Sequence, residues 1–337
     1  MDLRTQEISA SSRPAIAVLV PAHQAEDTLG PCPAGILDSG FAAGDCLVVD
    51  DGSTDGTADV ARAHGVRVLC NPDPLRPARA RNRGMAALSE GPEPPDVVLM
   101  VDADVVVHGD VRGALARHFA DPDVTAVIGS YDDRADGGSV VSDYRNLLHH
   151  WVHQRGAGAS DTFWTGIGAV RRDAFEAAGG LRPEWENIED VEFGLRLTED
   201  GGRIVLDPRL QGTHLKVWTP GSLFRTDMDG RAVPWTRLLR DGRLHAGRLN
   251  TDARHRTAAF GVALACLGVV LALVAFPLGA AALLAGASVF LLASWPFLSD
   301  LASMRGPGFA ARAVPWHALH YVAALAGYAK VRLGLAG

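Results

Sequence analysis

From Thr257 to Ser299 the chain carries no charged residue. No other feature restricts its folding so strongly. A helix of a soluble domain normally keeps one polar face in water, so a run like this is an unusual core. Thr257–Phe276 and Gly279–Leu298 are each long enough to cross a hydrocarbon layer of about 30 Å at ~1.5 Å per residue. Pro277 and Gly279 interrupt the run, which predicts a tight turn between two crossings. The plainer alternative is a helical hairpin buried in a soluble protein.

Basic residues give an orientation. Arg237, Arg240, Arg243, Arg248, Arg254 and Arg256 precede the first predicted span, Arg305 and Arg312 follow the second, and the loop between has none. Both flanks are therefore expected on the cytoplasmic side of the membrane. Residues 314–329, with Trp316, His317, His320, Tyr321 and Tyr328, fit either a third span or an interfacial helix. Residues 221–256 are expected to form a basic, amphipathic linker that lies on anionic headgroups, an ordinary charged linker being the alternative. Residues 1–14 form a polar tail without the apolar core of a signal peptide, so the following domain is expected to face the cytosol. Cys32, Cys46, Cys70 and Cys266 show no C-x-x-C pairing and are expected as free thiols of a reducing compartment. A net charge of −7 argues against the whole chain binding nucleic acid.

Residues 15–220 alternate short apolar runs with helix-compatible stretches. Ala15–Val20, Cys46–Val49, Val66–Cys70 and Val97–Val101 are predicted strands, with helices between them. That alternation predicts an α/β domain, a mostly parallel sheet flanked by helices. Ligands of such sheets bind at the carboxyl ends of the strands, where this chain places polar residues.

Asp102-Ala103-Asp104 follows one such strand. Two carboxylates so spaced can share a divalent cation, or a cation and a ribose. The cation neutralises a diphosphate leaving group, and hard oxygen ligands favour Mg2+ or Mn2+. Asp50-Asp51-Gly52-Ser53 ends another strand and serves either as turn and cap or as a nucleotide contact. Arg79, Arg81 and Arg83 suit a diphosphate or a base edge, or else form a solvated basic face. Glu189-Asp190 opens a helical pattern, where acids favour the helix dipole; either could also take a proton from an acceptor. His214 is a candidate metal or diphosphate contact. His149 and His153 share a helix face, but with no H-E-x-x-H pattern they are taken as part of an amphipathic helix.

In order, these motifs resemble glycosyltransferase family 2, whose members have the GT-A fold. Val20–Leu29, Asp50–Asp55, Ala80–Gly84, Asp102–Asp104, the stretch Gly166 to Leu181 and Glu189-Asp190 follow the family pattern. The resemblance implies a metal-dependent, inverting transfer from a nucleotide-diphosphate sugar. Pro21, Ala22, Gln24, Asp50, Asp51, Arg81 and Asp102 would hold the donor. Asp104 would be the main metal ligand, with Asp102 and His214. Asp190 would be the catalytic base, with Glu189 beside it, and Trp164, Gly166 and Trp218 would lie on the acceptor side. UDP-sugars are the favoured donors, with GDP-sugars next, and the acceptor is expected to be lipid-linked or a small molecule. His23-Gln24 replaces the family's aromatic-Asn, and the Q-x-x-R-W of processive synthases is absent. The competing readings are a nucleotidyltransferase, which lacks support because His23–Leu29 contains no glycine, and a catalytically inactive membrane scaffold.

Overall fold

The computed structural model describes residues 14–134, 137–243 and 253–335. Residues 1–13 of the expected tail 1–14 and the part of the basic stretch holding Arg248 lie outside the described residues. In chain order the elements are β1 (Ile16–Ala22), α1 (Pro31–Asp38), β2 (Cys46–Asp50), α2 (Thr57–Ala63), β3 (Arg67–Cys70), α3 (Pro77–Ser89), β4 (Val97–Val101), β5 (Val105–His108), α4 (Val111–Phe119) and β6 (Val124–Tyr131). There follow α5 (Val140–Arg155), β7 (Gly158–Ser160), β8 (Ile167–Arg171), α6 (Arg172–Ala177), α7 (Glu189–Glu199) and β9 (Arg203–His214). The last elements are α8 (Pro220–Asp227), a π-helical turn (Met228–Ala232), α9 (Val233–Arg240), α10 (Ala253–Ala272), α11 (Phe276–Arg305) and α12 (Pro307–Arg332).

The chain divides into two compact units. The first holds residues up to Ser130, Ala157–Glu184 and Glu189–Thr213. Its sheet has the strand order β3-β2-β1-β4-β8-β6-β9-β5, with β7 on β9. Strands β3, β2, β1 and β4 are parallel. Beyond β4 the sheet is mixed, because β8 runs antiparallel to both β4 and β6. The parallel half follows from sequence: β1, β2 and β4 are apolar runs covered on both faces, as parallel strands are.

Helix α3 lies tightly on this sheet. A Cβ on Gly84 would collide with Leu19 and stand 2.9 Å from Val49 Cγ2. Ala78, Arg81, Met85 and Leu88 are the buried stripe of α3, spaced three or four residues apart.

The second unit holds Tyr131–Gly156, Trp185–Ile188 and His214 onward. Residues 220–240 form the ordered helices α8 and α9 joined by the π-helical turn. Helices α10 and α11 are long and apolar enough to cross a membrane. The break between them falls at Leu273–Ala275, earlier than Pro277 and Gly279 suggested. Pro277 sits in the first turn of α11, where a missing N–H costs nothing. Gly279 is helical and packs on the backbone of Ala272.

The pair is antiparallel and close-packed. A Cβ on Gly261 would stand 2.5 Å from the Phe290 nitrogen, and Gly268 and Gly286 meet the backbones of Leu283 and Ala265 in the same way. Small residues let helix backbones approach where lipid removes the hydrophobic drive for association. The outer faces expose Phe260, Leu267, Val270, Leu273, Val274, Leu284, Leu292 and Trp295. Only 22% and 17% of the apolar windows of α10 and α11 are buried in protein, the reverse of a soluble core hairpin.

Helix α12 is one continuous element that turns polar side chains onto protein. His317 Nδ1 is 3.0 Å from the Tyr144 hydroxyl of α5, and His320 Nδ1 is 2.7 Å from Asp227 Oδ2 of α8.

Candidate active site

The parallel strands of the first unit deliver their acids to one edge of the sheet. Asp51 follows β2, and its amide donates to the Ala22 carbonyl at the end of β1 (2.8 Å). Its carboxylate is buried and accepts from Asn71 Nδ2 (2.6 Å), the Leu75 amide (2.9 Å) and the Arg76 amide (2.9 Å). Asp51 thus shapes the loop that leads into α3. Asp50 Oδ1 accepts from the Ser53 amide at 3.1 Å, which closes the Asp-Asp-Gly turn.

Pro21 and Ala22 are the last residues of β1. Two residues on stands Gln24, with φ of 49°, an uncommon conformation for a residue with a side chain. It is held there by Ser53 and Thr54: its amide donates to Ser53 Oγ at 3.0 Å, and its Oε1 accepts from the Thr54 amide at 3.0 Å. His23 Nδ1 lies 2.9 Å from the Asp51 carbonyl. The two residues that depart from the family pattern therefore tie the end of β1 to the loop after β2.

Of the three α3 arginines, Arg79 and Arg83 are exposed and only Arg81 turns inward. Its Nη2 donates to Asp102 Oδ1 at 2.6 Å, and its Nη1 donates to Glu189 Oε1 at 3.1 Å. The residue is 5% exposed, and among the described residues Nε has no hydrogen-bond partner. Burial opposes its charge, but Asp102, Glu189 and Asp190 more than offset this and raise its pKa. Asp102 and Asp104 lie at the end of β4, both partly exposed. The Asp102 amide donates to the Gly166 carbonyl at 3.4 Å, so Gly166 stands beside the D-x-D pair. Trp164 folds over Gly166, where any Cβ would strike the indole. Beneath lies Cys32, with Sγ 3.6 Å from the Asp102 carbonyl. Burial, followed by the charges of Cys46, Asp104 and Asp102, pushes its thiol well up, so it is an inert packing group.

Asp190 sits in the first turn of α7. Its Oδ1 accepts from the Val191 amide at 2.8 Å and its Oδ2 from the Thr165 amide at 3.2 Å. Burial, and then the charge of Glu189, raise its pKa to about 7. Thr165 was not foreseen, although it stands between Trp164 and Gly166. Asn82 was also missed: it exchanges hydrogen bonds with the Leu181 backbone at 2.7 and 2.9 Å. It thereby fixes the Gly179-Gly180-Leu181 turn.

The first unit thus brings together Arg81, Asp102, Gly166, Glu189 and Asp190. His214 and Trp218 belong to the second unit. There His214 stacks on Tyr131 with ring centroids 4.4 Å apart, and its Nδ1 is 2.9 Å from Asn146 Oδ1. Trp218 Nε1 donates to the same oxygen at 3.2 Å. Lys216 and Arg145 lie over the Trp218 ring at 4.5 and 5.5 Å. His149 and His153 share a face of α5, their rings 5.6 Å apart. Burial and then Arg231 hold His149 well below the usual imidazole range, so it is a neutral packing group. Among the described residues no group of three or more His, Cys, Asp or Glu is gathered for metal binding. A metal at Asp102 and Asp104 would therefore need ligand oxygens from its substrate. Those two carboxylates are the hard, accessible donors that Mg2+ and Mn2+ take.

Residues 17–177 match Glycosyl transferase family 2. The pre-mycofactocin glycosyltransferase of Mycobacterium tuberculosis is 32% identical over 172 residues, which cover 48% of this chain and 35% of that protein. The glycosyltransferase GlyG of Streptococcus pneumoniae is 30% identical over 129 residues, 36% of this chain and 41% of that one. The chain thus spans little more than a third of the length of these curated relatives. Among solved structures, the mannosyltransferase PcManGT from Pyrobaculum calidifontis, in complex with GDP-Man and Mn2+, superposes with a TM-score of 0.58 at 19% identity. That superposition covers 94% of this chain and 87% of the other. By its motifs, its fold and these matches, the segment from residue 17 to 177 is a glycosyl transferase family 2 domain with the GT-A fold.

Proposed function

We propose that the chain is a metal-dependent, inverting glycosyltransferase that acts at the cytoplasmic face of a membrane. The observation that carries this is the buried Arg81, which joins the strand-end Asp102 to the Glu189-Asp190 pair. Nucleotide-holding and proton-taking groups thereby share one side of one sheet. The donor is a UDP- or GDP-sugar. Asp50, Asp51, Gln24, Pro21 and Ala22 form the cradle for its nucleoside. Mg2+ or Mn2+ on Asp104 and Asp102 would supply the charge that stabilises the departing diphosphate.

Asp190, held by the Thr165 and Val191 amides, takes the proton of an acceptor hydroxyl. The acceptor oxygen forms its bond to the anomeric carbon while the carbon–oxygen bond to the diphosphate breaks. One direct displacement inverts the configuration. A carboxyl with its pKa near 7 suits that work, because it is a stronger base than an ordinary aspartate and about half of it is still ionised at neutral pH. Trp164 and Gly166 line the acceptor side. His214, as a further metal or diphosphate contact, and Trp218, on the acceptor side, stay part of the proposal. His214→Ala in a Mn2+ titration tests the former.

The exposed apolar faces of α10 and α11 are read as lipid-facing, which favours a lipid-linked acceptor. Helix α12, with its buried polar contacts, is read as interfacial rather than as a third span.

The test is a panel of nucleotide-sugars incubated with the full chain in Mn2+ and in chelator. Sugar release that requires metal supports the transferase. Pyrophosphate release supports a nucleotidyltransferase, and no turnover with any donor supports an inactive scaffold.

A further inference from the structure

The two acids of the Glu189-Asp190 pair face different partners. Asp190 is bound by backbone amides and the Thr165 side of the site. Glu189 is 6% exposed and has its Oε1 on Arg81. Arg81 in turn occupies Asp102 Oδ1. A buried guanidinium with a single carboxylate partner would draw that carboxylate fully onto itself, because nothing else would offset its desolvation. With two partners on two different nitrogens it is held between them. Asp102 then gives Oδ1 to Arg81 while its side chain stays 30% exposed.

We infer that Glu189 is a positioning residue, which holds Arg81 and through it fixes Asp102 in the orientation that receives the metal-bound donor. This rests on the transferase reading above. It also separates two acids whose sequence positions suggest one shared role. Partners that orient a metal-binding carboxylate typically change metal affinity about 10- to 100-fold when removed. The Arg81 Nε, buried without a partner among the described residues, fits a guanidinium placed for its two Nη contacts and not for its own satisfaction.

The experiment measures binding of UDP and of GDP in the presence of Mn2+ by calorimetry, Mn2+ binding itself by electron paramagnetic resonance, and turnover against pH. Five chains are compared: wild type, Glu189→Ala, Glu189→Gln, Arg81→Lys and Asp190→Asn. Glu189→Ala is expected to weaken Mn2+·nucleotide binding about 10-fold or more. Glu189→Gln keeps an oxygen for Nη1, so it is expected to bind within about threefold of wild type, a rescue that simple loss of charge does not give. Its acid limb of turnover moves to lower pH, because one of the charges that raises the Asp190 pKa is gone. Arg81→Lys, whose single nitrogen lacks the planar fork that reaches the two carboxylates from separate Nη atoms, is expected to behave like Glu189→Ala and carries the test if the alanine chain does not fold.

Wild-type Mn2+·nucleotide affinity in Glu189→Ala or in Arg81→Lys overturns the inference. So does a Glu189→Gln chain that binds donor normally but turns over no faster than Asp190→Asn, because Glu189 would then act on the acceptor directly. Failure of wild type to bind either nucleotide with Mn2+ counts against the transferase reading instead.

Discussion

Asp190→Asn separates catalysis from stability at one carboxyl. Folding moves the Asp190 pKa from the ordinary 3.8 to about 7, through burial and the neighbouring Glu189 charge. The fold therefore prefers the protonated form. The contribution of this preference to stability is intact below about pH 4, the unfolded value, and is lost as pH rises through the folded value. The difference of about three pKa units corresponds to roughly 4 kcal/mol as a ceiling, at about 1.4 kcal/mol per unit. Asparagine carries no charge and escapes this loss. The variant should therefore denature at higher urea concentration than wild type at pH 8, with the gap closing toward pH 4.

In the proposed mechanism the same carboxyl sets the rate. Wild-type turnover should fall about tenfold between pH 8 and pH 6 as the base is protonated. Asp190→Asn should lose about a hundredfold or more at pH 8 while still binding donor. The paired assays are urea denaturation in detergent and initial sugar-transfer rates, both across pH. A flat wild-type profile from pH 6 to 8, or an asparagine variant less stable than wild type at pH 8, refutes the reasoning.

Other outcomes follow from packing and charge. Gly84→Ala forces a methyl against Leu19 and Val49 and should cost about 1–3 kcal/mol, read by denaturant midpoint. Asp227→Asn should cost about 3–5 kcal/mol, because Arg145, 2% exposed, loses its buried counter-charge. Burial alone would raise the Asp227 pKa, but Arg145 and His320 hold it well below the usual range. Its stabilisation is thus present above about pH 4 and is lost on acidification, whereas the variant shows no such acid limb. The full chain should stay with membranes washed in alkaline carbonate and be released by detergent; release by carbonate alone would refute membrane insertion of α10 and α11.

The parallel half of the sheet was legible because β1, β2 and β4 are apolar runs that end abruptly in acids or proline. Strand β8 was not, because its antiparallel course depends on a partner about seventy residues away, beyond any local pattern. Arg81 was readable in principle: Ala78, Arg81, Met85 and Leu88 form one stripe of α3, and a charge inside an apolar stripe calls for buried partners. Which carboxylates those partners are depends on how β4 and α7 come together, and that is set by packing. The break before α11 was misplaced for a local reason: proline and glycine were both read as ends of helices, but one opens a helix and the other packs inside one.

The glycine seam between α10 and α11 also has a consequence for traffic. Two helices whose backbones touch at Gly261, Gly268 and Gly286 enclose no lumen between them. No growing polymer can thread through this pair. The product of the proposed transfer would instead drift sideways in the leaflet or be passed to a separate translocating machine.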